Sequence, residues 1–227
     1  MKLSILIPVY NEEKTIREIL PVVENVDIGD VEKEIVLVND GSADKSGEIL
    51  DEYKDKYVVV HHEVNKGKGA AIQTAIKHAT GDFVIVQDAD LEYDPSDYKS
   101  LLQPLINKEC DVVYGSRFLK KNKSEYQLYM VGNWALSLIT SILYFKRITD
   151  METCYKVFSK HAIDSITITR NRFDMEPEIT AKLLRGGFKI KELPISYEGR
   201  SKEEGKKIGV SDGILALWVL IRYRFFK

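Results

Sequence analysis

The chain has 227 residues, 44% of them hydrophobic, with a formal charge of −2 and a pI near 6.1. That length can bury a full core as one domain or as two small ones, and the near-neutral balance gives no argument for nucleic acid as a partner. The charge is uneven, since residues 185–227 hold ten Lys/Arg against five Asp/Glu, a basic end suited to a phosphorylated ligand, to anionic headgroups or simply to solvent.

In chain order, residues 3–9 predict an apolar strand and 13–26 a helix, 34–38 a second strand and 43–53 a helix, 57–61 a third strand and 69–79 a helix. Residues 83–86 predict a fourth strand, 95–107 a helix, and 111–114 a fifth strand closing the series. Short, wholly apolar strands between amphipathic helices specify an α/β fold, with a mostly parallel central sheet and helices on both faces. The second half breaks the rhythm, with an apolar helix near 128–145, a helix near 176–185 and a strand near 188–193. A polar stretch over 197–207 precedes a closing amphipathic helix with Ile214, Trp218, Ile221 and Phe225 on one face. That stripe suits either the sheet or a membrane surface, where Trp218 would sit at the interface. No repeat, linker or low-complexity tract divides the chain, so a single domain over 1–227 is expected.

Between Gln127 and Lys146 there is no charge, close to the length of a membrane span. Gly132, Asn133, Ser137, Thr140 and Ser141 interrupt it, which predicts a buried or interfacial helix and not a spanning one. Cys110 and Cys154 have neither metal-site nor disulfide spacing and read as reduced thiols. No secretory signal precedes the first strand, so a cytoplasmic protein is expected.

Three strand ends and one helix start carry unusual residues. The first strand closes on Pro8-Val9-Tyr10-Asn11-Glu12, where Tyr10 offers a ring for a base, and Glu12 an acceptor for a base or a helix cap. Asn11 would serve equally well as a helix N-cap. Val38-Asn39-Asp40-Gly41-Ser42 reads as a turn in which Asp40 either meets a base or ribose or only shapes the loop. Asn65-Lys66-Gly67-Lys68-Gly69 opens the third helix; its glycines admit a phosphate to backbone N–H groups or let the helix pack closely, and it fits neither a P-loop nor G-x-G-x-x-G. The fourth strand runs into Asp88-Ala89-Asp90-Leu91-Glu92. Carboxylates at that spacing form either a solvated turn or a hard-oxygen site for Mg²⁺ or Mn²⁺ and hence a diphosphate. All these loops fall at the carboxyl ends of parallel strands, where open α/β sheets place ligands. Together they point to a nucleoside diphosphate.

These motifs, with Gly115-Ser116-Arg117-Phe118, Asp150-Met151-Glu152-Thr153-Cys154-Tyr155-Lys156, Tyr197-Glu198-Gly199-Arg200-Ser201 and Gly205-Lys206-Lys207-Ile208, occur in an order that resembles family 2 glycosyltransferases of the GT-A fold. The Asp150–Lys156 motif and the stretch from Tyr197 through Ile208 point to the dolichol-phosphate mannose synthase and polyprenyl-phosphate branch. The resemblance implies a nucleotide-sugar-binding half over about 1–118 and an acceptor-binding half over about 119–227. It implies that Pro8, Tyr10, Glu12, Val38 and Asp40 hold the nucleoside, and that Asp88, Ala89 and Asp90 contact the sugar nucleotide. Asp88, Asp90 and Glu92 would face the metal, while Arg117, Arg200 and Lys206 would bind phosphates, with Asp88, Asp90, Arg117 and Arg200 serving catalysis. Two departures stand out: Glu92 occupies a position where the family pattern has Gln, and the helix near 128–145 lacks an Arg found in some relatives.

The implied activity is inverting transfer of a sugar, mannose from GDP-mannose by default, to polyprenyl or dolichyl phosphate at the cytosolic face of a membrane, with a membrane-protein partner as one further expectation. A phosphate acceptor, with a second pKa of about 6, needs no general base; a hydroxyl acceptor would, and Asp150 backed by Glu152 is then the candidate, unless the two only cap a helix. The alternatives are another donor such as UDP-glucose, a glycan or glycolipid hydroxyl acceptor, and a degenerate sugar-nucleotide-binding subunit. A nucleotidyltransferase would need a Gly-rich, Arg-bearing first loop, which this chain lacks.

Overall fold

The computed structural model describes residues 1–122, 127–199 and 209–226. Strands β1 (Lys2–Val9), β2 (Glu32–Asn39), β3 (Val58–His61) and β4 (Phe83–Val86) pair in parallel. Helices α1 (Ile16–Asn25), α2 (Ser46–Asp51) and α3 (Lys68–His78) connect them in turn. A 3₁₀ turn at Pro95–Asp97 leads into α4 (Tyr98–Ile106) and then β5 (Val112–Ser116). The second half adds α5 (Gln127–Tyr144), β6 (Lys156–Ser159), α6 (Lys160–Asp164), α7 (Met175–Arg185), β7 (Ile190–Pro194) and α8 (Val210–Phe225).

Among the described residues the sheet has seven strands in the order β3-β2-β1-β4-β6-β5-β7. The expected alternation and the mostly parallel sheet are both present. One strand was not foreseen. β6 inserts antiparallel between β4 and β5, so the fifth strand does not adjoin the fourth. Four residues following an irregular loop carry no periodicity of their own, and only pairing on both sides makes them a strand.

Ser4 is the one polar residue in the paired length of β1 and β4, and Leu3, Ile5, Leu6 and Ile7 lose all exposure. Each such side chain contributes about 1.5–3 kcal/mol on burial. A second, smaller core joins the carboxyl-terminal helices, with Tyr144, Ile148, Met151, Ala181 and Leu220 packed together. The Tyr144 hydroxyl donates to the Leu220 carbonyl at 2.8 Å, fixing α8 on α5.

Both apolar helices of this half turn a face outward. On α5 the exposed side chains are Val131, Trp134, Leu138, Ile142 and Phe145, the last 81% exposed. On α8 the buried positions are Ala216, Val219 and Leu220, and the stripe Ile214, Trp218, Ile221 and Phe225 is exposed. The stripe therefore does not pack on the sheet. Among the described residues no helix is long and apolar enough to cross a membrane.

Candidate active site

The sheet's carboxyl edge is built from the ends of β1, β2 and β4. Pro8 lies beyond the last β1–β4 pair, Leu6 with Val86, so its missing N–H interrupts no ladder on that side. It is in register with Val38, whose side chain is wholly buried. Tyr10 stays partly exposed at the rim. Asn11 adopts a left-handed backbone (φ 54°), a conformation asparagine tolerates better than most residues. Its side chain accepts from Ala43 N–H at 2.8 Å, so it ties the first loop to the second and does not cap α1. Glu12 is buried, accepts from the Thr15 hydroxyl at 3.0 Å and anchors its own N–H on Ser46 Oγ at 2.8 Å.

Asp40 is 2% exposed, and its carboxylate organises the neighbouring loop. It accepts from Lys66 N–H at 3.0 Å and Gly67 N–H at 2.8 Å and pairs with His62 Nδ1 at 2.7 Å. The glycines beyond pack against the chain. A Cβ on Gly67 would lie 2.4 Å from the Asn171 carbonyl oxygen, and one on Gly69 2.3 Å from that of Arg170. Ala70 N–H, at the start of α3, already donates to the Asn171 carbonyl at 3.1 Å. Close packing against residues 170–172, and not a cradle for phosphate, explains these glycines. Lys68 is the functional part of the loop: its ammonium meets Asp88 Oδ1 at 2.6 Å. Burial alone would depress its pKa, but the Asp88 charge more than offsets that and keeps it cationic.

The acidic turn is held from beneath. Gln87 is fully buried, and its side-chain oxygen accepts from both Tyr98 and Tyr155 hydroxyls at 2.5 and 2.6 Å, while its amide nitrogen donates to the Asp88 carbonyl at 2.8 Å. This fixes the backbone from which Asp88 and Asp90 project, with Ala89 buried between them. Leu91 has φ 64°, and Glu92 N–H returns to Asp90 Oδ1 at 3.2 Å, closing the turn. Glu92 in turn accepts from the Tyr197 hydroxyl at 2.7 Å.

Arg117 comes from the end of β5. Its Nε and one terminal nitrogen each lie 2.7 Å from Asp150, and its backbone N–H donates to the same carboxylate at 2.9 Å. The guanidinium also stacks on the Tyr197 ring, 5.1 Å from its centroid. Burial opposes its charge, yet Asp150 holds its pKa well above the usual value. Asp150 is 0% exposed and both its oxygens are engaged. It orients Arg117 and is not placed to act as a general base. Glu192 locks the same turn by accepting from Thr149 and Asp150 N–H groups at 2.8 and 3.0 Å. Arg200 and Lys206, expected to contact phosphates, lie outside the described residues.

Sequence reasoning missed a second buried pair. Lys156, 1% exposed, meets Glu176 at 2.5 Å and also donates to the Met151 and Thr153 carbonyls. Nothing in a lone Lys at a strand start signals burial; its partner is twenty residues away. Cys154 sits beside this pair, where burial and the Asp88 charge hold its thiol protonated, so it is no thiolate ligand. Beyond Arg117, a groove of about 660 Å³ is lined by Phe118, Leu119, Trp134, Leu138, Ile142 and Phe145, with Lys146 and Arg147 beside them. Its wall also includes Ile148 and Thr149, the residues immediately before Asp150, as Phe118 immediately follows Arg117.

Among the described residues no three His, Cys, Asp or Glu side chains gather as a ready-made metal cage. The oxygen-only chemistry of Asp88 and Asp90 still fits Mg²⁺ or Mn²⁺, because Mg²⁺ is commonly held by one or two carboxylates completed by substrate phosphates and water.

A mostly parallel sheet whose carboxyl edge carries paired aspartates, with a buried arginine at the end of β5, is the arrangement of a sugar-nucleotide transferase of the GT-A type. The family model for glycosyl transferase family 2 matches residues 4–172. A UDP-N-acetylglucosamine--dolichyl-phosphate N-acetylglucosaminyltransferase of Methanococcus voltae is 30% identical over 84% of this chain and 83% of its own length. A dolichol-phosphate mannosyltransferase of Pyrococcus furiosus is 31% identical over 92% of this chain, which spans 61% of that protein. Glucosyl-3-phosphoglycerate synthase of Mycobacterium tuberculosis, crystallised with Mg²⁺ and UDP, superposes with a TM-score of 0.74 at 17% identity, covering 100% of this chain and 80% of its own. The chain belongs to glycosyl transferase family 2.

Proposed function

We propose that this protein transfers a sugar from a nucleoside diphosphate sugar to a polyprenyl or dolichyl phosphate at a membrane surface, with mannose from GDP-mannose as the default donor. One observation carries the reading: an apolar groove that includes Lys146 and Arg147 is also lined by Phe118 and Thr149, the chain neighbours of the buried Arg117–Asp150 pair, and Tyr197 links that pair to Glu92 of the acidic turn. An acceptor with a long apolar tail and a phosphate head matches that sequence of surfaces. The relatives' names support it, since two of them act on dolichyl phosphate; they differ in the sugar.

In this reading Tyr10 lines the base pocket, and Asp40 shapes it through the Lys66–Gly67 loop. Asp88 and Asp90 would hold Mg²⁺ or Mn²⁺, which when bound offsets charge growing on the leaving diphosphate. Lys68 places a second cation beside Asp88. Arg117, held by Asp150 and Tyr197, would orient the acceptor phosphate. That phosphate is mostly dianionic at neutral pH, since its second pKa is about 6, so it attacks the anomeric carbon without a general base. The saturation of Asp150 disfavours the hydroxyl-acceptor alternative, which would need one. The outward faces of α5 and α8 meet where Arg224 lies over Tyr144 and Phe145, giving a continuous apolar surface with basic residues for the bilayer.

The test is transfer from labelled GDP-mannose, UDP-glucose and UDP-N-acetylglucosamine to a short polyprenyl phosphate with Mn²⁺. Acid-labile lipid-linked product, lost in Asp90→Ala, supports the reading. Product on a sugar hydroxyl acceptor and none on the lipid phosphate overturns it.

A further inference from the structure

The segment 150–156 crosses the carboxyl edge of the sheet between the two halves of the site. It begins where the groove residues Ile148 and Thr149 give way to Asp150 and Arg117. It ends where Cys154 N–H donates to Tyr93 of the acidic turn at 3.1 Å and β6 pairs with β4, Val157 against Ile85. A sugar passing from a diphosphate at Asp88 and Asp90 to a phosphate at Arg117 must lie over the middle of that segment. Glu152 stands there. Its Oε1 is buried and has no hydrogen-bond partner among the described residues; the same holds for the adjacent Thr153 hydroxyl. Nearby charges are already matched: Arg117 with Asp150, Lys156 with Glu176, and Lys68 with Asp88. An orphaned buried acceptor costs about 1–3 kcal/mol, so its persistence calls for a partner that arrives with a ligand.

We propose that Glu152 is a specificity residue that hydrogen-bonds hydroxyl groups of the transferred sugar, with Thr153 as its neighbour in that contact. The inference rests on the donor reading above. Burial and the nearby Glu176 carboxylate push the Glu152 carboxyl up to about 7, so near neutral pH it both accepts from and donates to hydroxyls.

Calorimetric titration with Mn²⁺ tests this on the whole chain. GDP, UDP, GDP-mannose, UDP-glucose and UDP-N-acetylglucosamine are the probes, against wild type, Glu152→Gln and Glu152→Ala. For the donor that binds, Glu152→Ala should weaken the nucleotide sugar about tenfold while leaving the free nucleotide within about twofold, and Glu152→Gln should keep most of the affinity. An unchanged ratio of nucleotide-sugar to nucleotide affinity in Glu152→Ala overturns the proposal. Equal weakening of both ligands also overturns it, marking Glu152 as a structural brace. Should wild type bind neither GDP nor UDP, the donor reading itself fails, and the inference falls with it.

Discussion

Replacing Asp150 by asparagine removes a charge from beneath Arg117 while keeping the side chain's shape. The carboxylate is wholly buried and receives two guanidinium bonds at 2.7 Å and a backbone N–H at 2.9 Å. Arg117 itself is 6% exposed, so its charge has no water to retreat to. Breaking a buried pair by removing one partner costs about 3–5 kcal/mol. Asparagine still accepts one of the bonds, which places the loss near the lower end, about 3 kcal/mol. For a domain of this size each kcal/mol moves Tm by about 2–4 °C, so the midpoint should fall by about 6–12 °C. Thermal unfolding followed by circular dichroism reads this directly. The double variant Arg117→Met/Asp150→Leu removes both charges; it should regain most of that stability and yet transfer no sugar, because the phosphate-orienting cation is gone. A Tm for Asp150→Asn within about 2 °C of wild type would refute the buried-pair argument, and an active double variant would refute the role of Arg117.

Gly69→Ala should lower Tm through overpacking by about 1–3 kcal/mol, since its Cβ meets the Arg170 carbonyl oxygen at 2.3 Å. Gly213→Ala, in an α8 position with nothing within 4 Å, should instead stabilise by about 0.5–1 kcal/mol; urea midpoints that fail to move in opposite directions would contradict the packing account. Glu152 gives a pH signature. Its carboxyl, raised from 4.5 to about 7 by burial and then by Glu176, and influenced by Lys156, Arg117 and Asp150, keeps its proton in the folded state after the unfolded chain has lost it. The folded state thus binds more protons between about pH 4.5 and 7, and stability falls as pH rises through that window, by about 2 kcal/mol for a partly exposed residue. Glu152→Gln should flatten this slope, and an identical pH–stability curve would reject the assignment. Lys68→Met should weaken Mn²⁺-supported nucleotide binding about tenfold, read by calorimetry; unchanged affinity would relegate Lys68 to packing. Trp134→Ser/Phe145→Ser should reduce recovery with floated anionic vesicles, and equal flotation would remove α5 from the membrane surface.

The parallel half of the sheet was legible because its strands are wholly apolar and its helices alternate with them. Wherever burial is complete on both faces, local composition and fold agree. The motif loops were legible for the same reason, since parallel strands send every carboxyl end to one edge. What each loop residue does was not. Asp40 and Asn11 look alike as turn-formers, yet one binds its neighbour loop's N–H groups and the other ties two loops together; only the distance to residues twenty to thirty positions away separates these roles. Gly67 and Gly69 allowed either a phosphate cradle or close packing, and the segment at 170–172, remote in sequence, fills that space. Asp150 could have been a base, a cap or a brace until Arg117 was found against it. The amphipathic pattern of α8 was correct, but which side faces outward depends on α5 and α7, which bury Val219 and Leu220 and leave Trp218 exposed. Composition and periodicity thus determined the sheet, its edge and the chemistry gathered there. Tertiary structure alone decided which carboxylates are tied to cations and which, like Glu152, are left needing a partner, because ion pairing depends on separation in space and carries no trace in sequence spacing.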